Sequence, residues 1–225
     1  MRESEPIPYT AAFMSTPFVA LDAIGVRFGH VPVLTDISLT VHPGEVVGIA
    51  GPNGAGKTTL LGVISTLIRP TAGSGTVFGA AIGSSAVFPV RNRIGWSGHD
   101  PALYPELTLL ENLTLTARLA GLSSEDAMRA LHIVGLTGAA GRRADRSSNG
   151  MQRRVDLARL VMLDPDLLLL DEAHAGLDVE ADQIIAALLR RARSNGKAAV
   201  LVSHDAARLG EDADRVVTIE RGVGR

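Results

Sequence analysis

Three groups of residues in this chain have types and spacings that could do chemistry on a phosphorylated substrate. The first is Gly51-Pro52-Asn53-Gly54-Ala55-Gly56-Lys57-Thr58, followed by Thr59, which satisfies G-x-x-x-x-G-K-[ST] at every fixed position. Glycines let backbone N–H groups curl around phosphates, and a helix start behind them adds partial positive charge. Lys57 can reach the outer phosphates, and the Thr58 hydroxyl is placed to ligate Mg²⁺. The second group is Asp171-Glu172, two carboxylates ending a run of four leucines. Successive strand residues diverge, so the two can take different tasks. Asp171 suits a Mg²⁺ shell, and Glu172 suits polarising an attacking water. The third is Ser147-Ser148-Asn149-Gly150-Met151-Gln152-Arg153-Arg154, where Ser148 can cap a helix whose free N–H groups form another anion site. A plain amphipathic helix with solvated arginines is the competing reading of that stretch.

The elements that must position these groups are legible in the surrounding pattern. Residues 46–50 read as a buried strand and 58–67 as a helix, which gives the phosphate loop its strand-before, helix-after context. Strands are predicted at 18–28 and 33–41 with a turn at 29–32, and shorter ones at 76–78 and 94–96. Residues 108–121 and 123–135 carry a helical period, and Thr108 with Glu111 forms a capping-box pattern. A strand at 167–170, a helix at 179–194 and strands at 198–202 and 215–219 complete the pattern. Alternation of this kind predicts an α/β fold with a largely parallel central sheet, its ligands lying beyond the strand C-terminal ends. Residues 1–17, with three prolines, read as a flexible N-terminal extension, and 18–225 as the working domain with a helical insertion at about 100–163.

Composition limits the function classes. An apolar fraction of 46% over 225 residues supports a sizeable core, and a formal net charge of −2 gives no global attraction to nucleic acid. The absence of cysteine removes disulfides, thiolate zinc sites and thiol catalysis. The apolar runs are too short to cross a bilayer and the acidic start is unlike a signal peptide, so any membrane work is expected to use spans from another chain.

In order and spacing these groups resemble the ATP-binding cassette family, the ATPase subunits of ABC transporters. The resemblance implies a P-loop NTPase fold of ABC type, with an antiparallel β-subdomain and an inserted helical subdomain. It identifies residues 51–59 as Walker A, 167–171 as Walker B and Glu172 as the catalytic glutamate. Ser148 and Gly150 fall in the family's signature motif, Ala175-Gly176-Leu177-Asp178 in its D-loop, and His204 at its switch histidine. Phe28 stands where the family stacks an aromatic on adenine. ATP and Mg²⁺ are the implied substrate and cofactor. A second cassette and a transmembrane permease are the implied partners, and the cytoplasmic face of the membrane the implied location, reached through the permease. The chain departs from the pattern at Ser147, Asn149 and Met151 in the signature, at Ala173 after the glutamate, and at His99, where glutamine is expected as a metal contact and coupling residue. The His99 imidazole can ligate the metal or hydrogen-bond in its place, and it titrates near neutrality, which predicts pH-sensitive coupling. Gly98-His99-Asp100-Pro101 with Glu111-Asn112-Leu113 is also similar to the ATP-binding subunit of the haem exporter of cytochrome c maturation. A non-transport ATPase serving as a regulatory or assembly module is the alternative, and the departures leave room for a cassette that binds ATP and turns over slowly.

Overall fold

The computed structural model describes residues 16–172, 179–220 and 223–224. In chain order its strands and helices begin with β1 (Val19–Phe28), β2 (Val31–Val41), β3 (Val46–Ala50), α1 (Lys57–Ile64), β4 (Ala72–Val77), β5 (Ala80–Ala81) and β6 (Ile94–Ser97). Three helices follow, α2 (Leu109–Leu119), α3 (Ser124–Ile133) and α4 (Asn149–Leu163). The rest are β7 (Leu167–Asp171), α5 (Val179–Ser194), β8 (Ala198–Ser203), α6 (Ala206–Asp212), β9 (Arg215–Glu220) and β10 (Val223–Gly224).

Four consecutive leucines have no polar face to offer water, so the strand they form must be covered on both sides. β7 meets that demand inside a sheet of order β5-β4-β1-β2-β10-β9-β3-β8-β7-β6. The segment β9-β3-β8-β7-β6 is parallel throughout, and β1 pairs antiparallel with β2 and β4. The two-residue period sends Leu168 and Leu170, with Ala199 and Leu201, into a core shared with α2 to α5. Leu167 and Leu169, with Ala198 and Val200, face α1 and the antiparallel strands. The sheet thus separates two apolar layers, and its parallel strands end together on the edge where the phosphate loop begins.

The fold differs from the sequence expectation in a few places. Gly29 (φ 59°) and His30 alone form the first turn, so Pro32 lies inside β2, paired with Arg27. β10 joins β2 only at Thr35, so Pro32 occupies a strand start where a missing N–H costs little. α1 stops at Ile64 rather than 67, because Thr66 turns left-handed (φ 64°) and the Leu67 and Ile68 N–H groups both donate to the Gly62 carbonyl. A 3₁₀ stretch at Ser85–Arg93, which contains Pro89, and the short helix α6 had no place in the sequence reading. Most of the proposed N-terminal extension lies outside the described residues.

Candidate active site

β3 is buried along its whole length and delivers the chain to the phosphate loop between β8 and β9. The loop's glycines are demanded by crowding. A Cβ at Gly51 would stand 2.4 Å from the Ile219 carbonyl oxygen. One at Gly56, whose φ is 95°, would stand 2.6 Å from Leu34 Cδ2 and 2.9 Å from the Val33 oxygen. Gly56 is also the N-cap of α1 and no side chain caps that helix, so its leading N–H groups are left for an anion.

Lys57 is 6% exposed, and its ammonium donates to the carbonyls of Gly51 (2.7 Å) and Pro52 (3.1 Å). Thr58 Oγ1 donates to Asp171 Oδ2 at 2.7 Å, which joins the start of α1 to the end of β7. Glu172 follows in a left-handed conformation (φ 49°), with its N–H donating to the Val202 carbonyl at 2.9 Å. Its carboxylate lies between two cationic or titratable groups, Lys57 Nζ at 4.0 Å and His204 Nδ1 at 3.0 Å. Burial pushes the Asp171 carboxyl above its ordinary range, and the Glu172 charge adds to this. The Thr58 hydrogen bond, Lys57 and His99 oppose it. Two adjacent carboxylates therefore stand in unlike settings, one packed against a hydroxyl and the other facing a lysine and an imidazole.

These groups surround a cleft of about 320 Å³ lined by Val33, Asn53, Gly54, Gly56, Lys57, Thr58, Thr59, His99, Asp171 and Glu172. Gly51 and Pro52 take part through their carbonyls, and Ala55 is packed beneath the loop. His204 reaches the site from the end of β8 through Glu172. Phe28 is exposed at the end of β1 and outside the cleft wall, on the hairpin whose Val33 does line it. Ser148 caps α4 by accepting from the Met151 N–H at 3.3 Å, and neither it nor Gly150 lines the cleft. The D-loop residues 175–178 and Ala173 lie outside the described residues. A larger hollow of about 450 Å³ between α3, α4 and α5 brings together no residue of the phosphate loop.

Sequence reasoning missed a polar cluster beneath this site. Arg153, read as one of a solvated pair, is 7% exposed, and Asp156 is 1% exposed. Asp156 Oδ2 accepts from Ser97 Oγ at 2.6 Å. A signal existed: positions 153, 156, 157 and 160 share one helical face, and Leu157 and Leu160 mark it as the buried one.

The family model described as ABC transporter matches residues 34–175, more than half of the chain. The Nod factor export ATP-binding protein I of Burkholderia lata is 36% identical over 200 residues, covering 87% of this chain and 66% of that protein. A doxorubicin resistance ATP-binding protein of Mycobacterium tuberculosis is 36% identical over 199 residues, covering 87% of this chain and 60% of that one. The chain thus spans about three fifths to two thirds of these relatives' length. The lipoprotein-releasing system ATP-binding protein of Bacteroides thetaiotaomicron is 35% identical over 213 residues, with 91% of this chain and 97% of that protein covered. Among solved structures, a dimeric ATP-binding cassette in a post-hydrolysis state bound to ADP and Pi superposes with a TM-score of 0.81 at 27% identity, covering 91% of this chain and 95% of that one. The phosphate loop, the Thr58–Asp171 link and these likenesses agree, and the chain belongs to the ABC transporter family as one of its ATP-binding cassettes.

Proposed function

We propose that this chain binds and hydrolyses ATP, pairs with a second cassette when ATP is bound, and drives a separate transmembrane permease. The observation that carries the proposal is the placement of Glu172 next to Asp171, which is tied to Thr58, and beside Lys57 and His204. The phosphate loop and Lys57 bind the phosphates. Thr58 and Asp171 supply the hydroxyl and carboxylate oxygens that a hard cation takes, and Mg²⁺ bound there would neutralise phosphate charge. His99 faces the same cleft and supplies a titratable hydrogen-bonding group. Glu172 accepts the proton of the attacking water, and His204 orients its carboxylate and senses the outer phosphate. Ser148 and Gly150, remote from their own chain's cleft, complete the site of the other cassette, and Phe28 offers a flat apolar face to adenine.

No helix among the described residues is long and apolar enough to cross a membrane. Attachment at the cytoplasmic face through the permease is part of the same proposal. This chain is similar both to a relative named for Nod factor export and to one of Brucella abortus, 33% identical over 217 residues, named for methionine import, which supports leaving direction and cargo to the permease. Haem export is the finer reading, resting on the 98–101 stretch with Leu107-Thr108 and Glu111-Asn112-Leu113.

Glu172→Gln tests the proposal. The amide keeps size and hydrogen bonding but cannot accept a proton. ATP binding persists, hydrolysis slows by roughly a hundred- to ten-thousand-fold, and an ATP-dependent dimer accumulates on size-exclusion chromatography. Phosphate release at the wild-type rate would falsify the assignment of the base.

A further inference from the structure

The buried cluster on α4 reaches the active site through backbone rather than side chains. The Arg153 guanidinium donates through Nη1 to the Gly98 carbonyl and through Nη2 to the Asp171 carbonyl at 3.4 Å. Asp156 Oδ2 lies 3.8 Å from Nη1, and Asp156 is itself held by Ser97 Oγ at 2.6 Å and Arg159 Nη2 at 2.8 Å. Both carbonyls belong to the residue just before a functional one: Gly98 precedes His99, and Asp171 precedes Glu172.

A peptide unit is planar, so the carbonyl of one residue and the N–H of the next move as one body. The plane between Asp171 and Glu172 is gripped at both ends, its oxygen by Arg153 and its N–H by the Val202 carbonyl. Glu172 needs such a grip, because a left-handed glutamate persists only where its surroundings over-determine it. The same guanidinium fixes the plane leading into His99. Its fork has two Nη groups to spend on two carbonyls, which a lysine ammonium at the end of a flexible stem does not match.

We propose that Arg153 is a positioning residue for ATP hydrolysis: held by Asp156, it sets the peptide planes that aim Glu172 and His99, and ties both to the helix that Ser148 caps. The inference rests on Glu172 being the general base.

The test is a cycle in the full chain, comparing Arg153→Met in the wild-type and Glu172→Gln backgrounds by single-turnover phosphate release and nucleotide binding. Losing the grip lowers kcat about ten- to a hundredfold, as expected when a catalytic group is displaced by an ångström or so, with nucleotide affinity within about threefold. In the Glu172→Gln background the same substitution changes the residual rate less than about twofold, since there is no base left to misplace. A purely structural arginine would lower thermal stability with kcat of the folded protein untouched, and that result overturns the proposal. Equal fold-losses in both backgrounds overturn it too. If Arg153→Met does not fold, Arg153→Lys is measured, and a wild-type kcat there overturns it as well. A Glu172→Gln chain at full rate overturns the general-base reading itself. A slow Glu172→Gln beside an unaffected Arg153→Met overturns this inference alone.

Discussion

Asp171 is a carboxylate whose surroundings work against its charge. Burial raises its pKa, and the favourable contacts from Thr58, Lys57 and His99 do not cancel that cost. A folded-state pKa above the unfolded one means that the native state binds the proton more tightly. The stability penalty is therefore complete above the raised value and disappears as pH falls to the ordinary aspartate range near about 4. Asp171→Asn keeps an oxygen for Thr58 and removes the charge. Its nucleotide-free form should melt higher than wild type at neutral pH, by about 2–4 °C for each kcal/mol relieved, and the gain should vanish on acidification. Differential scanning calorimetry across pH checks both parts, and a pH-independent difference would show that burial of charge is not the cause. Most of the side chains that line the cleft were legible because motif chemistry fixes residue types. The left-handed backbone at Glu172 and the burial of Arg153 were not, since both are imposed by distant strands and helices rather than by local spacing.

Local signals decided which elements could be read. Thr108 Oγ1 accepts from the Glu111 N–H at 3.1 Å and Glu111 Oε2 accepts from the Thr108 N–H at 2.8 Å, the capping box that the sequence predicts. α3 starts with a second box in which Asp126 replaces the usual glutamate, so the pattern passed unread although Ser123 makes both bonds. α6 escaped because it is short, yet Asp205 signals it by accepting from the Ala207 and Arg208 N–H groups at 3.1 Å. For α2 the box has a measurable worth. Thr108→Ala should cost about 1 kcal/mol, lowering the melting temperature by roughly 2–4 °C without altering nucleotide affinity. The Glu111 carboxyl is held below its ordinary pKa, first by the Thr108 N–H and then by its hydroxyl. Its contribution is thus present at neutral pH and fades as pH drops through the lowered value. A cost unchanged between neutral and strongly acidic pH would assign the loss to the hydroxyl alone.

At the scale of the molecule, one chain holds a phosphate loop and a Ser148 helix start that do not meet. In a two-fold dimer each would complete the other, which makes a mixing experiment informative. Lys57→Ala removes the ammonium proposed to bind phosphate and should weaken nucleotide binding roughly ten- to a hundredfold, while Ser148→Arg should block closure with binding intact. A heterodimer of the two has one undamaged composite site, and its ATPase rate should recover to about half of wild type. A verified heterodimer as inactive as either parent would argue against shared sites, unless the two sites cooperate strictly. The overall architecture was legible because strand and helix periods alternate so regularly, whereas the merging of the antiparallel strands with the parallel ones into a single sheet depends on contacts such as Val223 with Thr35 that sequence spacing does not encode. The leucines of β7 have one more consequence. Because neighbours along that strand belong to opposite apolar layers, neither layer can open without releasing the strand that anchors the other. Amide protons of Leu168, Leu169 and Leu170 should therefore exchange with deuterated solvent only through global unfolding, whereas those of α2 and α3 can exchange through smaller openings, leaving Asp171 and Glu172 on the last part of the protein to come apart.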